Sequence, residues 1–110
     1  NIMKDDVIII NAARGSLIDT KALIDALKNK KVGFAALDTI EYEKGLYYFN
    51  LEKEIISNDD RAILLSFPNV ILSPHMAFYT EEAVSDMVGN SVKGLIKFEN
   101  NEPNEFEVEY

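Results

Sequence analysis

The chain has 110 residues, with 19 acidic against 11 basic side chains, a net charge of −8, one His, and neither Cys nor Trp. The lack of Cys excludes disulfides, thiolate metal sites and cysteine nucleophiles, and is compatible with a reducing cytoplasm, the expected location. The acidic balance disfavours a nucleic-acid or anionic-membrane surface, because phosphate binding needs clustered Lys and Arg. Hydrophobic residues make up 47%, enough for one globular domain. No apolar run approaches the roughly 18 residues of a membrane span. The chain opens on Asn1 and enters a buried-type strand within a few residues, as expected of a piece of a longer or processed chain.

In chain order, VIIIN at 7–11 is a short β-branched run, expected as a strand covered on both faces, the parallel-sheet type. AARGSLID at 12–19 reads as a loop punctuated by Gly15 and Ser16. Asp19 or Thr20 can cap a helix over about 20–30, with Ala22, Leu23, Ala26 and Leu27 on one face and three Lys near its end, where the dipole favours cations. VGFAALD at 32–38 is a second strand of small residues. Residues 39–58 lack periodicity and hold Glu41, Glu43, Glu52 and Glu54, with an aromatic cluster at Tyr47, Tyr48 and Phe49. So long an irregular connection suggests a functional loop or an insertion.

Asn58 or Asp59 can cap a short helix carrying Ala62 to Leu65, ended by Phe67-Pro68-Asn69. VILS at 70–73 is a third strand, and PHMAFYT at 74–80 a loop. Thr80 caps a long helix with Glu81 and Glu82 in its first turn and an apolar stripe of Ala83, Met87, Val88, Val92, Leu95 and Ile96. Phe106, Val108 and Tyr110 alternate with Glu105, Glu107 and Glu109, which predicts a half-buried C-terminal strand. Strands alternating with helices predict an α/β fold with a parallel sheet and right-handed crossovers. Three strands are few for such a sheet. The chain therefore reads as the C-terminal half of a doubly wound domain plus an exit helix.

Ligands of open parallel sheets bind beyond the carboxyl ends of the strands. Strand one runs into Arg14, strand two ends at Asp38 with Glu41 and Glu43 beyond, and strand three runs into Pro74-His75. Singly, each has an ordinary alternative. Arg14 reads as a loop clamp, Asp38 as a strand terminator, Glu43 as a solvated carboxylate and His75 as a partly buried His. Phe78 and Tyr79 read as core aromatics. Jointly they fit one crevice: Arg offers a planar fork to a carboxylate, His gives or takes a proton, and a carboxylate behind it fixes its tautomer. That set suits reversible proton transfer at a carbonyl or hydroxyl beside a carboxylate. No G-x-S-x-G elbow occurs, and one His without Cys does not suggest a metal site.

Asn11-Ala-Ala-Arg14-Gly15-Ser-Leu-Ile-Asp19, Ala36-Leu-Asp38, Glu43 and Pro68-Asn-Val-Ile-Leu-Ser-Pro74-His75 resemble the NAD-dependent D-2-hydroxyacid dehydrogenases, in order and over nearly the whole chain. The segment Pro74 to Thr80 and the long connection at 39–58 look like the D-lactate dehydrogenase branch, which includes the vancomycin-resistance type. The resemblance implies a Rossmann-type fold, with the later half of the NAD-binding domain at 1–79 and a crossover helix and tail at 80–110 returning to the substrate domain. The family's G-x-G-x-x-G turn is not in these residues.

The implied catalytic set is Arg14 on the substrate carboxylate, His75 as general acid and base, and Glu43, preferred to Glu41, paired with it. Ala12, Ala13 and the Arg14 backbone would lie under the nicotinamide, Asp38 near its carboxamide, and Phe78 and Tyr79 along the substrate side chain. The implied activity is hydride transfer between NADH and a short 2-keto acid, first of all pyruvate, in a homodimeric full-length protein. A D-2-hydroxyisocaproate-type dehydrogenase is an alternative within the family. An NAD-sensing corepressor-like binding module is the alternative from another class. By itself the 110-residue piece is expected to bind NAD negligibly and to be inactive.

Overall fold

The structure, a computed structural model, describes residues 2–47, 50 and 58–108. Tyr48, Phe49, Glu52, Glu54, Glu109 and Tyr110, all named above, lie outside the described residues. The elements are β1 (Val7–Asn11), α1 (Thr20–Lys28), β2 (Val32–Leu37), α2 (Asp59–Ser66), β3 (Val70–Leu72) and α3 (Glu81–Glu99). They form two compact units, Asn1–Ala77 and Phe78–Tyr110. No helix among the described residues is long and apolar enough to cross a membrane.

The first unit is a parallel sheet in the order β1-β2-β3. Asp19 starts α1 by accepting the Ala22 N–H at 2.9 Å, and Asn58 starts α2 by accepting the Arg61 N–H at 2.8 Å. At the end of α1, Lys30 takes a left-handed φ of 57°. The N–H groups of Lys30 and Lys31 then close on the Leu27 and Ala26 carbonyls, a Schellman ending without its usual glycine. Leu23, Ile24 and Leu27 of α1 and Leu64 of α2 pack with Val32, Ala35 and Leu37 of β2 and with Ile40, all buried.

Both helices touch each other and the sheet, so they cover the same face. The expectation of a β1 covered on both faces is therefore corrected. Ile8 and Ile10 are 64% and 73% exposed, and Ile71, in register with Ala36 and so with Ile10, is 58% exposed. Continuous apolar runs suggest two-sided cover, but only one face meets a helix among the described residues.

In the second unit, Thr80 caps α3 by accepting the Ala83 N–H, and Asn101 at φ 54° ends it as Lys30 ends α1. No residue of α3 is buried, and its stripe of Met87, Val88, Val92, Leu95 and Ile96 is exposed. The expected C-terminal strand does not form among the described residues. Instead Asn104 gathers the following chain into a turn, its Oδ1 accepting from Phe106 N–H and its carbonyl from Glu107 N–H, each at 3.1 Å. A strand needs a neighbouring ladder to pair its backbone, and this segment satisfies itself locally.

Candidate active site

All three strands release their chain toward one edge of the sheet, and the backbone ladder continues past their ends. Asp38 N–H donates to the Asn11 carbonyl, Ser73 N–H to Leu37, and His75 N–H to Asp38, each at 2.9 Å. The turns bearing Arg14, Glu43 and His75 are thus stitched side by side.

After β1, buried Asn11 shapes the next residues. Its Nδ2 donates to the Arg14 carbonyl at 2.8 Å and its Oδ1 accepts the Ala13 N–H at 3.1 Å. This Asx-type turn fixes the backbone under the exposed Ala12 and Ala13 and launches Arg14 outward, with its Nη1 on the Ala13 carbonyl at 2.8 Å. Sequence reading quoted Asn11 without a role, although an Asn directly after an apolar run is a turn signal. A 3-10 turn at Gly15–Leu17 follows, and Gly15 lies so close to Ile40 that an added methyl would overlap the Ile40 carbonyl.

Beyond β2, Glu43 bridges two groups. Its Oε1 lies 3.0 Å from His75 Nδ1, and its Oε2 accepts the Ile40 N–H at 3.2 Å. The pair is part-buried, with side chains 33% and 20% exposed for His75 and Glu43, so water weakens it less than a surface contact. A carboxylate on Nδ1 holds the ring in the tautomer with its proton there and leaves Nε2 as the exchanging nitrogen. Arg14 and Glu43 line one cleft of ≈ 360 Å³, together with Ser16 and Tyr42. The structure thus pairs Glu43 with His75 and sets Arg14 on the cleft that Glu43 lines; Glu41 lines that cleft too, but its Oε2 is engaged by the Thr20 N–H of α1.

Asp38 is the most engaged side chain of the region. It is 6% exposed, and its Oδ1 accepts from Ser73 Oγ at 2.6 Å and Met76 N–H at 2.7 Å, while Oδ2 accepts from Ala77 N–H at 2.8 Å. Burial pushes its carboxyl up. The Ser73 hydroxyl, the Ala77 and Met76 N–H groups and the neighbouring His75 outweigh that and hold it below its ordinary value. The expectation placed Asp38 beside the nicotinamide. In the structure its carboxylate grips the loop that carries His75, a partnership that sequence reading did not name because the donors are mostly backbone. His75 itself sits at φ 55°, a left-handed conformation that costs a non-glycine residue roughly 1–2 kcal/mol. Its N–H groups with the Asp38 and Ser73 carbonyls, which hold that turn in place. Phe78 and Tyr79 belong to the second unit, where their rings meet edge to face at 6.2 Å.

Residues 1–77 match the family model described as D-isomer specific 2-hydroxyacid dehydrogenase, NAD binding domain. The chain belongs to that family. Its Rossmann-type sheet and its NAD-binding character follow from the membership. Among known relatives, it is 55% identical over 97 residues to an aromatic 2-oxoacid reductase of Clostridium sporogenes, covering 88% of this chain and 29% of that protein. Among solved structures, it superposes on a D-lactate dehydrogenase with NAD+ from Lactobacillus jensenii with a TM-score of 0.89 and 39% identity, covering 98% of this chain and 32% of the other. A D-2-hydroxyisocaproate dehydrogenase gives a TM-score of 0.85 and 42% identity, with 96% and 32% covered. The chain therefore spans about a third of these dehydrogenases' length.

Proposed function

We propose that the protein carrying this chain is an oxidoreductase that interconverts a 2-oxo acid and a D-2-hydroxy acid with NADH and NAD+, with pyruvate and D-lactate as the first pair to test. The observation that carries the reading is the His75 Nδ1 to Glu43 Oε1 contact at 3.0 Å, with Arg14 on the cleft that Glu43 lines. The residues present suit the nicotinamide end of the cofactor. Ala12 and Ala13 offer small, exposed side chains at the end of β1, on a backbone that Asn11 holds. Ala12, Ala13 and the Arg14 backbone would hold that end. When bound, NADH supplies the hydride that reduces the carbonyl carbon.

The chain's own part is position and proton. Arg14 would fork to the substrate carboxylate and orient the adjacent carbonyl. His75 would give its Nε2 proton to the carbonyl oxygen, so that ketone plus hydride plus proton becomes an alcohol. In the reverse direction it takes that proton back. Glu43 would keep the ring oriented through its contact with Nδ1. We assign Phe78 and Tyr79 to selection of the substrate side chain, and residues 80–110 to the return toward the substrate domain.

A second reading favours a bulkier aromatic 2-oxo acid, because the Clostridium sporogenes relative at 55% identity carries that activity in its name. The deciding experiment is NADH oxidation by the full-length protein with pyruvate, 4-methyl-2-oxopentanoate and phenylpyruvate, compared by kcat/KM. Pyruvate on top supports the first reading and phenylpyruvate the second. No turnover with any of the three would leave NAD binding without catalysis, as in a corepressor-like module.

A further inference from the structure

Glu41 lies two residues before Glu43 on the same loop, and no step above uses it. Its Oε2 accepts the N–H of Thr20, 21 residues away, at 2.7 Å. Thr20 is the first residue of α1 and 5% exposed, so this donor has no partner within the helix and limited access to water. An ordinary cap does not require Glu41, because Asp19 already caps the helix through Ala22. The bond ties the loop after β2 to the start of α1.

Two further contacts make that tie relevant to Glu43. The Ile40 carbonyl packs on Gly15, directly after Arg14, with no room for a methyl between them. The Ile40 N–H in turn holds Glu43 Oε2 at 3.2 Å. Between the two glutamates, Tyr42 takes a φ of 57°. It is 84% exposed, so packing does not enforce its turn. The left-handed turn is held from its ends, by Glu41 on α1 and by Glu43 on Ile40 and His75.

We infer that Glu41 is a positioning residue, a strut from the α1 N-terminus that sets where Glu43 presents its carboxylate to His75. The inference rests on the assignment of Glu43 and His75 as the proton-transferring pair. A displacement near 1 Å in such a pair costs up to about a hundred-fold in rate.

The test is steady-state kinetics of the full-length protein with NADH and its best 2-oxo acid. Glu41→Ala should lower kcat by about ten- to a hundred-fold with KM for NADH unchanged. Glu41→Gln keeps an oxygen that can accept from Thr20 and should restore kcat. Glu41→Asp keeps the charge but falls a methylene short, and should behave as the alanine variant does, which also serves if that variant does not fold. Asp19→Ala removes the other cap of the same helix. It should lower the melting temperature as Glu41→Ala does, yet leave kcat alone. A Glu41→Ala enzyme with wild-type kcat would overturn the proposal. So would an Asp19→Ala enzyme losing as much kcat at equal loss of stability. Glu43→Gln is measured alongside. If it keeps full turnover, the pair assignment itself fails; if it loses turnover while Glu41→Ala does not, only the strut is refuted.

Discussion

Replacing Asp38 by Asn changes one oxygen to an amide and leaves the shape intact, yet the site has no room for an amide. All three of its partners, Ser73 Oγ, Met76 N–H and Ala77 N–H, donate. With the amide nitrogen at the Oδ2 position, it faces Ala77 N–H. With the nitrogen at Oδ1, it faces Met76 N–H, and only the Ser73 hydroxyl can turn to accept. Either way one backbone donor loses its partner, at about 1–3 kcal/mol, and the remaining bonds lose their charge assistance, at about 1 kcal/mol each. Met76 and Ala77 are exposed residues, so water recovers part of this, and we expect a net loss of about 2 kcal/mol. The pH dependence gives a second check. The Asp38 carboxyl lies below its ordinary value of 3.8 in the folded chain, so its stabilisation is complete above that value and fades as pH falls through the lowered one. Urea titrations of wild type and Asp38→Asn should therefore differ by a constant amount near neutrality and converge in acid below about pH 4. Equal midpoints at neutral pH, or a gap that persists undiminished in strong acid, would refute the account.

Thr39 is 1% exposed and its hydroxyl finds no partner among the described residues. Thr39→Val should raise stability by about 1 kcal/mol, and a loss in denaturant titration would mean the hydroxyl is bonded after all. Gly15→Ala would drive a methyl into the Ile40 carbonyl, and should cost about 3 kcal/mol while lowering activity through Arg14; a variant matching wild type in both melting and turnover would contradict the close packing. His75→Gln should reduce kcat by about 10²–10⁴-fold if His75 is the general acid. Arg14→Lys should mainly raise KM for the 2-oxo acid, since an ammonium cannot make the two-pronged contact; near-normal kinetics in either variant would remove that residue from its role.

The helices and strands were legible because their signals are local. Asp19, Asn58 and Thr80 are caps by chemistry, and each accepts the N–H three residues on. The runs at 7–11 and 32–38 are too short and too β-branched or small for helices, and they pair in parallel. The convergence of Arg14, Glu43 and His75 was legible for another reason: a parallel sheet sends every strand end the same way. What escaped were properties that depend on partners distant in sequence. Alternation at 105–110 cannot tell whether a neighbouring strand exists. The run at 7–10 cannot tell that α1 and α2 share a face. Nothing in the letters Pro74-His75-Met76 says that Asp38 collects the loop's N–H groups, or that His75 is turned into the left-handed region.

The division between core and site follows from the same facts. The core is apolar and lies between one sheet face and two helices, whereas the candidate site is held by polar bonds beyond the strand ends. Asn11 holds the first turn, Glu41 and Glu43 the second, and Asp38 the third. A hydrophobic contact is non-directional, so truncating Leu64 or Leu27 costs stability without re-aiming a side chain. A hydrogen bond is directional, and removing one from these turns changes where Arg14, Glu43 or His75 points even where the energetic cost is modest. Stability and activity should therefore separate along this boundary. Core truncations should lower the melting temperature with kcat largely kept in the folded fraction, and turn substitutions should do the reverse.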